Sequence, residues 1–201
     1  MDKENMNSMK KKALAFAAAA CAFGMLLSGC GSSNGDSTAD KGSNVITAYN
    51  SEPQNPLIPG DCNETGGGKP LDLLFARLIS FDAKGNASNE VAESIKSNDD
   101  ATQYTIKLKD GWKFTDGTPV TAESFTKAWS YTANAKNAQL GSSFFSTIKG
   151  YDELQDPNVD PKATLSGLST PDDYTLVVEL NKPDSVFPTK LAHQSMFPLP
   201  S

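Results

Sequence analysis

Apolar and polar residues alternate most clearly in two stretches of the chain. Tyr104, Ile106 and Leu108 are separated by Thr105 and Lys107. A two-residue period turns one side toward a core and the other toward water, so this stretch predicts a half-buried strand. Tyr174 to Leu180 predicts a second strand, bounded by Asp172-Asp173 and by Asn181-Lys182-Pro183. Elsewhere the spacing is helical. Leu71, Leu74, Phe75 and Leu78 recur at three and four residues, with Pro70 at the start, where a missing N–H costs little; this predicts a helix from about Pro70 to Leu78. Thr121 is placed to cap a further helix, with Phe125, Ala128, Trp129 and Thr132 on one face.

Shorter elements fill the rest. Val45 to Asn50 is rich in β-branched and aromatic residues and predicts a strand, which Pro53 and Pro56 end. The stretch to Gly68 has no period and carries Gly60, Gly66, Gly67 and Gly68, so it reads as a loop. Ile79 to Phe81 predicts a short strand closed by a turn over Asp82–Asn86. Trp112 and Phe114 resume an alternation that Asp116-Gly117-Thr118-Pro119 breaks. Asp152 to Lys162 reads as a polar loop, and Ser185 to Ala192 as a short helix with Pro188 in its first turn. Interleaved strands and helices indicate an α/β or mixed α+β class, with mixed strand pairing expected.

The N-terminal region follows a different pattern. Lys10, Lys11 and Lys12 precede an apolar stretch from Ala13 to Leu27, and Ser28-Gly29-Cys30 follow. A basic patch, a short apolar run and small residues are the marks of an export signal. The apolar run is 15 residues long, short of the about 20 that a membrane-spanning helix needs, which disfavours an uncleaved anchor. Leu27-Ser28-Gly29-Cys30 resembles the lipobox of bacterial lipoproteins. That resemblance implies cleavage before Cys30 and acylation of its thiol, and two acyl chains suffice for stable anchoring. Residues 1–29 are then a signal peptide. Residues 30–44 are a lipidated cysteine and a flexible tether, too rich in Gly, Ser, Asn and Asp to bury a core.

Composition narrows the partners. The chain carries three cysteines. With Cys21 in the signal and Cys30 blocked by lipid, Cys62 has no disulfide partner and reads as a small loop residue. The net charge is −6. Four lysines and two acids lie ahead of Cys30, so the remainder holds 14 basic against 22 acidic residues. No basic stripe is left, which argues against a nucleic-acid partner.

Reactive constellations are also missing from the sequence. The single histidine, His193, argues against a multi-histidine metal site and a serine–histidine triad. The calcium-loop pattern does not occur. Gly66-Gly67-Gly68-Lys69 lacks the spacing of a phosphate loop, and Pro70 follows the lysine; the glycines read as flexibility or as close approach of backbone to a ligand. Trp112, Phe114, Phe125 and Trp129 are better read as core than as a ligand-stacking set. No cofactor or metal is expected, and the chain is not expected to be an enzyme.

The stretch from Tyr104 to Trp129, YTIKLKDGWKFTDGTPVTAESFTKAW, resembles the family 5 extracellular solute-binding proteins, the oligopeptide and dipeptide binders of ABC importers. Ser51-Glu52-Pro53, LDLLFARLISFDAKGN, VAESI, GLSTPDDYTLVVEL and FPLP match the same family in order. The resemblance implies a periplasmic-binding-protein-like type II fold of two lobes. It further implies that 45–55 begins the larger lobe, 56–161 builds the smaller one and 162–201 returns to the larger. Family members are several hundred residues long, so the chain is expected to be an N-terminal fragment. The implied activity is capture of a peptide between the lobes and its delivery to a membrane permease. The implied place is the outer face of the cell membrane, with anchoring through Cys30. Asn50, Ser51 and Glu52 fall where family members approach the ligand. Glu52 is the candidate for a peptide ammonium or N–H, Ser51 for its backbone, and Gly67 for the cleft border; a pure turn role for Ser51 and Glu52 stands beside this. A surface receptor or adhesin of the same fold, a ligand such as a metal chelate or sugar, and a secreted hydrolase are the alternatives.

Overall fold

The computed structural model describes residues 47–200. In chain order these form α1 (Thr65–Leu74), β1 (Ile79–Phe81), β2 (Ala87–Asn89), β3 (Ala92–Ser97), β4 (Gln103–Leu108), α2 (Ala122–Ala133), β5 (Leu168–Asp172), β6 (Thr175–Glu179) and α3 (Phe187–Lys190), with short 3-10 turns between and after them. The two alternating stretches become the central strands β4 and β6 of a four-stranded sheet of order β3-β4-β6-β5. In their antiparallel register Tyr104 faces Val178 and Ile106 faces Leu176, and all four side chains are buried. The two-residue period has placed both apolar sets on one face.

That face is covered by α2. Phe125, Ala128, Trp129 and Ala133 are buried along it, as the helical spacing predicts. Thr121 stands at the N-cap in extended conformation, and its N–H donates to the Ser124 hydroxyl at 3.1 Å. The Trp129 ring lies 6.1 Å from Phe125 and 6.0 Å from Phe145 between centroids. Its indole N–H donates to the Met196 carbonyl at 3.0 Å, and the Leu199 N–H donates to the Ser124 carbonyl. The segment around Met196 is thereby fastened to α2. Trp112 and Phe114 pack on the same core at its edge, so all four aromatic residues serve packing. A smaller apolar cluster holds Cys62, Leu71 and Phe197, with Phe75 against it.

β1 and β2 form a separate hairpin. Its turn is built by Asp82, whose carboxylate accepts from the N–H groups of Lys84 and Asn86 and from the Asn86 amide.

Three expectations are corrected. First, Thr47–Asn50 forms no strand: a strand needs a partner ladder, and none of the described residues pairs with it. Val45 and Ile46 lie outside the described residues. Second, the helix predicted over 70–78 runs from Thr65 to Leu74. It begins at Thr65 and takes in the glycine run that read as loop, and Pro70 is inside it rather than at its start. Phe75 and Leu78 lie beyond it, with Leu78 buried in the main core. Third, every described ladder is antiparallel. The mixed pairing expected from the interleaved elements does not occur, because β3–β4 and β5–β6 are hairpins that meet across β4 and β6.

Residues 48–200 fall in one compact unit, and positions 55/56 and 161/162 both lie inside it. The β4–β6 ladder joins residues on both sides of position 161 in one sheet. The expected signal peptide (1–29), the expected lipidation site Cys30 and the expected tether (30–44) lie outside the described residues. Among the described residues no helix is long and apolar enough to cross a membrane.

Trp129→Phe is expected to lower stability by about 2 kcal/mol or more, since it leaves the Met196 carbonyl buried without its donor and opens a void. Urea unfolding of the two proteins measures this.

Candidate functional site

The candidate residues Asn50, Ser51 and Glu52 are exposed, on a segment that crosses the first turn of α1. The crossing is close. The Asn50 side-chain amide donates to the Gly66 carbonyl at 2.8 Å. A Cβ on Gly66 would stand 2.8 Å from the Ser51 hydroxyl and 2.9 Å from its carbonyl. Both distances are shorter than ordinary contact, so only a residue without a side chain lets the segment lie there. Lys69 adds a bond from its ammonium to the Tyr49 carbonyl at 3.4 Å.

Glu64 organises the start of α1. It is the N-cap, and its carboxylate accepts from the Gly67 N–H through both oxygens, at 2.9 and 3.1 Å. The Gln54 N–H donates to the same carboxylate at 3.3 Å, and the Cys62 thiol at 3.5 Å. The Gly67 N–H, and with it the Gln54 N–H and the Cys62 thiol, holds the Glu64 carboxyl below the usual carboxylate range. Burial pushes the Cys62 thiol up, and the neighbouring Glu64 and Asp61 charges add to this. Gln194 closes the other side: its amide donates to the Cys62 carbonyl at 2.6 Å, and its oxygen is 2.9 Å from where a Gly68 Cβ would stand.

The three glycines are therefore close-approach residues for the protein's own chain. Gly67 is buried, its N–H is taken by Glu64, and the space for a Cβ is filled by Cys62 and Glu64. Cys62 is a buried free thiol in a loop, wedged against that glycine.

A polar cleft of about 270 Å³ opens beside this arrangement, lined by Asn63, Glu64, Lys69, Asp72, His193 and Gln194 among others. Asn50, Ser51 and Glu52 do not line it. His193 is stacked on Phe144, with ring centroids 3.7 Å apart, and its Nδ1 accepts from the Ser195 N–H at 3.2 Å. Burial pushes its pKa down, against the nearby Asp72 charge, so the neutral ring that this bond requires is favoured. Among the described residues no group of three or more His, Cys, Asp or Glu is placed to hold a metal ion. Ser51 and Glu52 are thus exposed residues on a backbone anchored to a helix end.

The structure thus brings Asn50 and Ser51 together with the glycine run and leaves Glu52 exposed beside them. Sequence reasoning missed Glu64 and Gln194. Glutamate is not a preferred N-cap residue, which left Glu64 with a weak local signal. Gln194 lies 132 residues from the Cys62 carbonyl it binds and had none.

The family model for bacterial extracellular solute-binding proteins, family 5 Middle, matches residues 86–200. The chain belongs to this family. The family 5 match runs from the turn before β2 to the segment fastened beneath α2. The oligopeptide-binding protein OppA of Bacillus subtilis is 29% identical over 184 residues, which is 88% of this chain and 33% of that protein. The periplasmic oligopeptide-binding protein OppA of Escherichia coli is 35% identical over 129 residues, 63% of this chain and 23% of that protein. The chain thus spans a third or less of the length of these two relatives. The crystal structure of Haemophilus influenzae OppA in complex with RPPGFSPFR superposes with a TM-score of 0.69 at 28% identity, covering 74% of this chain and 29% of that one. The mixed α/β fold is accordingly that of the type II periplasmic-binding-protein-like structures.

Two outcomes are expected. Gly67→Ala lowers the melting temperature, and adding Cys62→Ala restores part of the loss by clearing the sulfur the new methyl meets; thermal unfolding of the two variants checks this. The lowered pKa of Glu64 means that its charged form stabilises the fold. That contribution is present above the ordinary carboxylate range and is lost as pH falls through the lower folded value. The gap in melting temperature between wild type and Glu64→Gln should therefore be widest near neutral pH and shrink in acid.

Proposed function

We propose that the protein captures extracellular peptides and hands them to the permease of an ABC importer, working at the outer face of the cell membrane where lipid on Cys30 holds it. The observation that carries this reading is family 5 membership, together with structural likeness to a relative crystallised with a peptide. The peptide lies extended between two lobes and is bound largely through its backbone, as an added strand would be. Asn50, Ser51 and Glu52 form one edge of the ligand's path. Ser51 bonds peptide backbone, and Glu52 meets an N–H or the terminal ammonium. Gly67 belongs to the site through the close approach it permits. Closure is a hinge motion that hides the ligand and presents a closed face to the permease. Anchoring by lipid raises the protein's concentration near that permease. The protein binds and releases its ligand without chemical change.

Calorimetric titration of the natural protein with short peptides tests the reading. Binding is expected, and Glu52→Gln should weaken peptides with a free N-terminus by about three- to tenfold while sparing blocked ones. Equal affinity for both classes in that variant removes the charge role of Glu52. Peptide uptake lost on deletion of the gene supports import, and unchanged uptake assigns the protein to surface reception or adhesion instead. Binding of a metal chelate or a sugar, with no response to peptides, replaces the ligand class.

A further inference from the structure

Pro70 is the sixth residue of a ten-residue helix. A proline there has no N–H for the carbonyl four positions earlier, and its ring crowds that carbonyl. The carbonyl is that of Gly66, and it is the one that receives the Asn50 amide at 2.8 Å. We infer that Pro70 and Asn50 form a lock: the proline keeps the Gly66 carbonyl open for a donor from outside the helix, and Asn50 fills it, which fixes Ser51 and Glu52 in place. The inference rests on the proposed peptide site for its functional meaning, while its structural content stands on the bond itself.

The neighbouring geometry supports a single docked position. A carbonyl acceptor orients the Asn50 side chain with its nitrogen toward the helix. The Ser51 hydroxyl and carbonyl lie against the bare Gly66 α-carbon, and the Gln54 N–H reaches the Glu64 carboxylate. Contacts at positions 50, 51 and 54 thus pin the segment at both ends, with Glu52 held between them and exposed. Asn50 is on this account a positioning residue, and its own amide is not available to a ligand. An interior proline is ordinarily a liability to a helix. Here the lost intrahelical bond is replaced by one that carries tertiary information.

A double-mutant cycle on the natural protein tests the lock. Asn50→Ala removes the side-chain donor to the Gly66 carbonyl, and Pro70 has no N–H to replace it. It should lower the melting temperature, reduce the backbone 15N order parameters of Ser51 and Glu52, and weaken peptide binding about fivefold, the worth of one neutral hydrogen bond. In a Pro70→Ala background the N–H gained at position 70 can take the Gly66 carbonyl. The melting cost of Asn50→Ala should then nearly vanish, while the loosened order parameters and the weakened binding persist. A purely structural role for Asn50 would move stability and binding together in both backgrounds. An Asn50→Ala melting cost that is the same with and without Pro70→Ala overturns the lock. So do unchanged order parameters at Ser51 and Glu52 in Asn50→Ala. A wild-type protein that binds no peptide overturns the proposed function instead, and the melting and order-parameter results still decide the lock.

Discussion

One buried surface carries most of this structure: the apolar face shared by β4 and β6, with α2 laid across it. Neither strand covers its own face, and a helix with one apolar stripe needs a surface to bury it against. Tyr104, Ile106, Leu176 and Val178 supply that surface, and Phe125 and Trp129 fill it. Trp129 reaches further than its apolar area, since its N–H draws in the Met196 carbonyl. The segment fixed there includes His193 and Gln194, and Gln194 in turn holds the Cys62 loop. Packing of the main core is thus transmitted to the region around the start of α1.

At that end the constraint changes from apolar burial to close backbone approach. Three successive glycines let Ser51, Cys62, Glu64 and Gln194 come nearer to a helix than any side chain would allow. Such contacts leave little freedom to the segment bearing Ser51 and Glu52. In the peptide-binding role proposed for the protein this order is an advantage, because order present before binding need not be created by it. The charged Glu64 carboxylate and the neutral His193 ring both face backbone N–H groups. The carboxylate is held charged chiefly by the Gly67 N–H it accepts from, whereas burial keeps the ring neutral.

Much of the fold was legible where one local rule applied without competition. The alternation in 104–108 and 174–180, the turn at Asp82–Asn86, and the buried face of α2 all follow from period and turn chemistry. Reading failed where two rules conflicted. Gly66, Gly67 and Gly68 are poor helix formers, and a proline is normally excluded from a helix interior, so the rules jointly displaced α1 by five residues at its start. A local cap and a tertiary bond reversed that balance: Glu64 caps the helix, and Asn50 supplies the bond the proline cannot make. Of the candidate site, Asn50, Ser51 and Glu52 came from family resemblance, and Gly67 from composition. Glu64 had only a weak local signal and Gln194 none.

The sequence by itself determined the family, the class of fold, the strands that form the centre of the sheet and the face of α2 that meets them. Each is encoded by residues near one another in the chain, where side-chain period and turn preference act directly. Only the tertiary structure decided that residues on both sides of position 161 share one sheet, that the glycine run is helical, and that Asn50 docks on Gly66. Those outcomes depend on pairs 16 to 132 residues apart, such as Asn50 with Gly66 and Cys62 with Gln194. A hydrogen bond between such partners is specified by position in space, and no local pattern records it.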